Sequence, residues 1–113
     1  MKTMNYHDYK SCIDACLQCA AICHHCASMD LKEKDAAMMN RCAQLDMECA
    51  AICTAAAQLM SLGSESAKEI CKICAEICKK CADECSKHKN EHCKECAEAC
   101  NKCAIECNKM SKN

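Results

Sequence analysis

Proline, tryptophan, phenylalanine and valine are absent from this chain, and Gly63 is its single glycine. Strands draw on β-branched and aromatic residues. With Tyr6 and Tyr9 as the whole aromatic content, a sheet has little to build on. The same scarcity removes the stacking platforms that bind nucleic-acid bases. The 15 basic and 16 acidic residues interleave to a net charge of −1, so no basic stripe tracks a phosphate backbone. No run of about 18 apolar residues exists to cross a bilayer. Neither nucleic acid nor membrane is therefore expected as a partner. Met1–Asp8 contains no apolar stretch of the kind a secretory leader needs, and a cytoplasmic location is expected.

Large aliphatic residues are scarce too: seven isoleucines and five leucines among 113 residues. A helical bundle normally needs more to fill its core. What the chain has instead is 18 cysteines and 18 alanines, set among lysine, glutamate and methionine. These are helix-compatible residues, and an all-α fold is expected. Four segments can be read: about 5–28, 31–62, 66–88 and 91–108. Gly63 follows the second as a C′ residue. Ser66-Ala67-Lys68-Glu69 opens the third as a capping box. Short connections imply antiparallel neighbours. The expectation is a single domain over 1–113, an antiparallel up-down-up-down four-helix bundle with a cysteine-lined core.

The segments repeat one another. Cys19-Ala-Ala-Ile-Cys23 recurs as Cys49-Ala-Ala-Ile-Cys53 and as Cys74-Ala-Glu-Ile-Cys78, with Cys96-Ala-Glu-Ala-Cys100 as a fourth version. The first segment carries Cys12, Cys16, Cys19, Cys23 and Cys26; the second Cys42, Cys49 and Cys53. The third carries Cys71, Cys74, Cys78, Cys81 and Cys85; the fourth Cys93, Cys96, Cys100, Cys103 and Cys107. All fall on one grid of alternating three- and four-residue steps, the a/d seam of a heptad. With Cys19 at d, alanines such as Ala20, Ala50, Ala75 and Ala97 fall at e, and Ile22, Ile52, Ile70 and Ile77 at g. Charges such as Lys72, Lys79, Lys80, Glu76 and Asp83 take the b, c and f positions. In the second segment Asp46 and Ala56 stand where the first has Cys16 and Cys26.

Three readings compete for this ladder. One or two seam cysteines would be ordinary small core residues; 18 of them, with almost no seam leucine, are not. A disulfide scaffold fails within a helix, because i,i+3 and i,i+4 Cβ atoms lie about 5–6 Å apart and a disulfide needs roughly 3.5–4.5 Å. Bridges between helices stay open on geometry, but the expected cytoplasmic setting disfavours them. A metal store fits best. Thiolates one turn apart close on a shared ion, and Cys12 to Cys26 alone span about 21 Å of helix.

Thiolates select Cu(I), zinc or iron–sulfur clusters. Structural zinc prefers a closed set of four, usually with knuckles on turns. The C-x₂-C-x₂-C-x₃-C-P runs of iron–sulfur proteins are missing. Cu(I) accepts two or three sulfurs and tolerates shared ligands. Buried thiolates also carry a charge that must be neutralised, and one Cu(I) per thiolate does so. The expectation is multiple Cu(I) ions, near one per cysteine, held for storage and sequestration. A zinc or mixed soft-metal buffer is the alternative, and a thiol redox protein is weaker still. A redox enzyme needs one activated thiol with a resolving partner, and the ladder singles out none, so no enzyme is expected.

Antiparallel order brings Cys26, Met29, Met38, Met39, Cys42, Cys85, His88, His92 and Cys93 to one end. Tyr9, Leu59, Met60, Leu62 and Ile70 gather at the other as an apolar plug. His88 falls at d, Met39 at a and His92 at g, and these are the candidate mouth ligands. His24 and His25 fall at b and c, where solvated surface is the plain reading. Asp46 at an a position offers a hydrogen bond to a thiol or binds water.

The four cysteine sets, with their CxxC and CxxxC spacings over nearly the whole chain, resemble the four-helix-bundle copper storage proteins of bacteria. That resemblance implies storage of many Cu(I) ions inside the bundle and His and Met near its open end, corresponding to His88, His92 and Met39. It also implies a homo-oligomer, commonly a tetramer. Without a leader the chain is similar to the cytosolic branch. A copper chaperone or small-molecule copper carrier is the expected delivery partner.

Overall fold

The computed structural model describes residues 4–112; Met1–Thr3, part of the segment read above for a leader, lie outside them. Four helices follow one another: α1 (Tyr6–Asp30), α2 (Ala36–Ser61), α3 (Ala67–Cys85) and α4 (Glu91–Lys112). There is no strand among the described residues. Each connection is five residues, too short for anything but antiparallel neighbours. Accordingly Cys12 near the start of α1 meets Cys107 near the end of α4. Cys42 near the start of α2 meets Cys85 at the end of α3. The helices form a ring in which α1 packs on α2 and α4, and α3 on α2 and α4, giving a rod 53 × 18 × 17 Å.

The heptad flanks behave as the pattern requires. Ala20, Ala27, Ala43, Ala50, Ala75, Ala82, Ala97 and Ala104 are buried against neighbouring helices, and Ile22, Ile52, Ile70 and Ile77 are half-buried at their margins. Alanine at these positions lets backbones approach, so a narrow column of sulfur can fill the space between four helices. Tyr9, Met60 and Ala67 close one end of that column. Leu62 does not join them; at 79% exposure it lies outside the plug.

The ends of the helices refine the expected boundaries. α2 is capped as expected at Gly63, whose φ of 63° suits glycine. Gly63 N–H donates to Met60 O and Ser64 N–H to Leu59 O, the two bonds of a Schellman motif. The capping box expected at Ser66 does not form: its side chain makes no cap bond. Ser64 instead turns the chain, its Oγ accepting from Ser66 N–H. A capping box does form at Asn5, which accepts from His7 and Asp8 N–H while the Asp8 carboxylate accepts from Asn5 N–H. α2 begins at Ala36, not near Leu31. The segment Leu31–Asp35 is turn, and α1 ends at Asp30, two residues beyond the expected 28.

Candidate metal centre

All 18 cysteines are buried free thiols, each 0–1% exposed. The heptad puts two per turn on the inner face of each full helix, and four facing helices bring their sulfurs to 3.4–4.0 Å of one another. Examples are Cys49–Cys78 at 3.4 Å, Cys23–Cys96 at 3.6 Å and Cys19–Cys100 at 3.7 Å. A thiolate–metal bond of about 2.3 Å means that two sulfurs at such spacing reach one ion between them without backbone movement.

The sulfurs form overlapping sets, not separate sites. Cys16, Cys53, Cys74 and Cys103 have ligand atoms within 4.8 Å of one another; so do Cys19, Cys53, Cys78 and Cys103. Cys19, Cys23, Cys49 and Cys100 make the next set, followed by Cys23, Cys81, Cys96 and Cys100. Each set hands one or two members to the next. Cys12, Cys71 and Cys107 continue the column toward the Tyr9 end, with Cys12 and Cys107 at 3.6 Å.

Asp46 interrupts the column at its other end. Its carboxyl is fully buried. Oδ1 accepts from the Cys81, Cys96 and Cys85 thiols at 3.1, 3.2 and 3.4 Å, and Oδ2 faces Cys42 at 3.8 Å. Of the two roles expected at its a position, the bond to thiols is formed. Burial pushes the Asp46 carboxyl up to about 11. Asp46 itself belongs to a further set, with Cys26, Cys42 and Cys85.

The outer rim is built from Cys26, Cys93, Asp30 and His92. Asp30, 1% exposed, sits 3.7 Å from Cys93 Sγ and 3.6 Å from His92 Nδ1. Burial, then hydrogen bonding and charge from Cys42, raises it to about 6. Burial, then the charge of Cys42 and Asp30, pushes the Cys93 thiol up as well. His92 Nε2–H donates to Glu33 Oε1 at 2.9 Å. Its Nδ1 faces the thiols, 3.4 Å from Cys26 Sγ and 3.6 Å from Cys93 Sγ.

The candidate mouth residues thus part ways. His92 touches thiols. His88 Nε2 bonds Glu84 at 3.0 Å, which also faces Arg41 and Lys87. Met39 is buried at the end of the core, and with His88 it lines a hollow of about 570 Å³ between the α1–α2 and α3–α4 turns. Met38, on the same hollow, is largely exposed. Asp30 was not singled out from the sequence, although the step from Cys26 to Asp30 continues the cysteine grid.

Comparison with known proteins supports the chemistry of this column. Residues 5–112 match the family described as copper storage protein, Csp. An uncharacterized cysteine-rich protein of Bacillus subtilis, YhjQ, is 43% identical over 83 residues, spanning 74% of this chain and 77% of that protein. The structure of the Cu(I)-bound copper storage protein BsCsp3 superposes with a TM-score of 0.87 at 43% identity, covering 90% of this chain and 96% of that one. A cytosolic copper storage protein from Streptomyces lividans, with five coppers, superposes with a TM-score of 0.90 at 36% identity, covering 93% and 92%.

Proposed function

The chain belongs to the copper storage protein family, and from that premise we propose that it stores Cu(I) in the cytoplasm, near one ion per cysteine. Its ligands are Cys12, Cys16, Cys19, Cys23, Cys26, Cys42, Cys49, Cys53, Cys71, Cys74, Cys78, Cys81, Cys85, Cys93, Cys96, Cys100, Cys103 and Cys107. The observation that carries the reading is the overlap of the sulfur sets. Cys53 and Cys103 serve two sets, as do Cys19, Cys23 and Cys100. Shared thiolates suit Cu(I), which is content with two or three sulfurs, and disfavour zinc, which wants a closed four of its own. Charge supports the same count. A core this dry cannot hold unpaired thiolates, and one monovalent ion per thiolate leaves it neutral. Sequestration, not catalysis, follows from a column with no exposed thiol and no distinguished pair. His92 is the mouth ligand the geometry favours, with Met39 and His88 at the adjoining hollow.

Titration of the reduced protein with Cu(I) against a competing chelator tests the reading. Saturation is expected near 18 ions, the number of cysteines. Saturation below about four, or tighter binding of zinc than of Cu(I), sinks it.

Delivery is assigned to a copper chaperone or a small-molecule carrier, since free Cu(I) is redox-active. The assembly is a homo-oligomer, a tetramer in the pattern the family resemblance implies. The outer face of α1 and α2 is the surface for a second copy. No Lys, Arg, Asp or Glu occurs between Asp14 and Asp30, or between Glu48 and Glu65. Leu17 and Leu62 stand half or more exposed beside a hollow there, so two copies can meet without burying a charge. Light scattering is expected to return a multiple of the 12.4 kDa protomer, and Leu17→Glu with Leu62→Glu the protomer alone. A native protein of protomer mass refutes the interface.

A further inference from the structure

A second hollow, of about 320 Å³, opens on the side of the bundle between α1 and α4, lined by His25, Met29, Glu91, His92 and Glu95. His25 and Met29 are one helical turn apart on α1, so both project to the same side. His25 is exposed and Met29 half-buried. His92 is the wall between this hollow and the thiol column: it lines the hollow, yet its Nδ1 lies 3.4 Å from Cys26 Sγ and 3.6 Å from Cys93 Sγ. A copper ion at His25 and Met29 would stand one imidazole away from the first two thiols of the store.

We infer that His25 and Met29 form a lateral transit site that accepts Cu(I) at the surface and passes it by way of His92 to Cys26 and Cys93. This rests on the storage reading above and specifies how the store is filled. An imidazole nitrogen and a thioether sulfur are donors that Cu(I) accepts. Both are neutral, so they bind it less firmly than a thiolate, and the ion moves inward down a gradient of affinity. Glu91 and Glu95 place negative charge at the rim, with Lys94 Nζ 3.9 Å from Glu91, and so favour an arriving cation over an anion. At the inner end a Cu–Sγ bond forms at Cys26, its S–H bond breaks, and the proton leaves to water; copper stays monovalent throughout. The route is distinct from the axial hollow at Met39 and His88, which lies between the turns.

The experiment follows the loss of absorbance of a coloured bidentate Cu(I) chelate as the reduced full-length protein takes up its copper. His25→Ala combined with Met29→Leu, which keeps the packing of the methionine and removes only its sulfur, is expected to slow uptake about tenfold. His24→Ala, on the exposed neighbour outside the hollow, is expected to load at the native rate. Uptake by the double variant at the native rate overturns the transit site while leaving the storage reading intact. A lower final copper count at an unchanged rate overturns it too, because it makes the pair storage ligands. If the native protein takes up no Cu(I), both readings fall.

Discussion

Replacing Cys19, Cys53 and Cys103 together by alanine removes about three Cu(I) ions from the saturated protein, and the loss is one ion per thiol, not one per set. These three residues belong to more than one set: Cys53 and Cys103 join the two neighbouring groups that contain Cys74 and Cys78, and Cys19 joins the second of these to the group of Cys23, Cys49 and Cys100. If each group were an isolated four-sulfur site with one ion, the triple change would also cost three ions, but out of a capacity set by the few groups; in the column it leaves about 15 of about 18. In a continuous column the remaining sulfurs rebond to the remaining ions, and neutrality fixes the count. Chelator competition and elemental analysis on the purified, reduced variant measure the difference. Retained full capacity would show that the column is not the store. The metal-free variant is destabilised only modestly, by about 1 kcal/mol for each thiol removed, because a sulfur is a small group to lose from a core. Helicity by circular dichroism checks that the count is read on a folded bundle.

The sharing of ligands was legible in the sequence because one periodicity governs everything. Steps of three and four residues placed every cysteine on one seam, and the same register placed Ala20, Ala50, Ala75 and Ala97 where helices touch. What the sequence hid lies where that register stops. His88 falls on the seam by counting, but α3 ends at Cys85. Beyond it the chain turns, and the imidazole swings to Glu84 instead of facing sulfur. His92 falls off the seam, yet it stands in the first turn of α4, at the rim, where a side chain can fold over the open end. The second helix began later than expected for a related reason. Lys32-Glu33-Lys34-Asp35 contains good helix formers and no proline or glycine, so nothing local marks a stop. The stop is tertiary: Asp30 enters the core and Glu33 turns back to bond Asn90 and His92. Asp30 itself escaped notice because an acid at the end of a helix ordinarily faces water. Only its place on the cysteine grid marks it as an inward residue.

Asp46 is expected to make the metal-free protein lose stability as the pH rises, and Asp46→Asn to remove that share of the loss. In the folded chain burial holds the carboxyl up to about 11. In the unfolded chain it ionises near 4. Between those values the folded state keeps a proton that the unfolded state gives up, so stability falls with rising pH by about 1.4 kcal/mol per unit for one such group. The penalty is absent below the unfolded value and grows through neutrality. Asp30, raised to about 6, acts in the same direction but has finished by then. The 18 buried thiols, which ionise at about 8.5 once unfolded, add their own loss toward pH 8, so Asp46 is isolated by comparing urea denaturation of the reduced, metal-free native and Asp46→Asn proteins between pH 6 and 8. The native chain should lose about 2–3 kcal/mol more across that interval than the asparagine variant does. Equal slopes would mean that Asp46 is ionised in the fold, and the charge balance would then change. A neutral Asp46 accepts hydrogen bonds from three thiols without adding an anion to the core. An ionised one would call for an extra monovalent ion beyond the thiolates. The pH slope reads that charge in the metal-free bundle, and the saturating copper count reads it once the Cys81, Cys85 and Cys96 thiols have given up their protons.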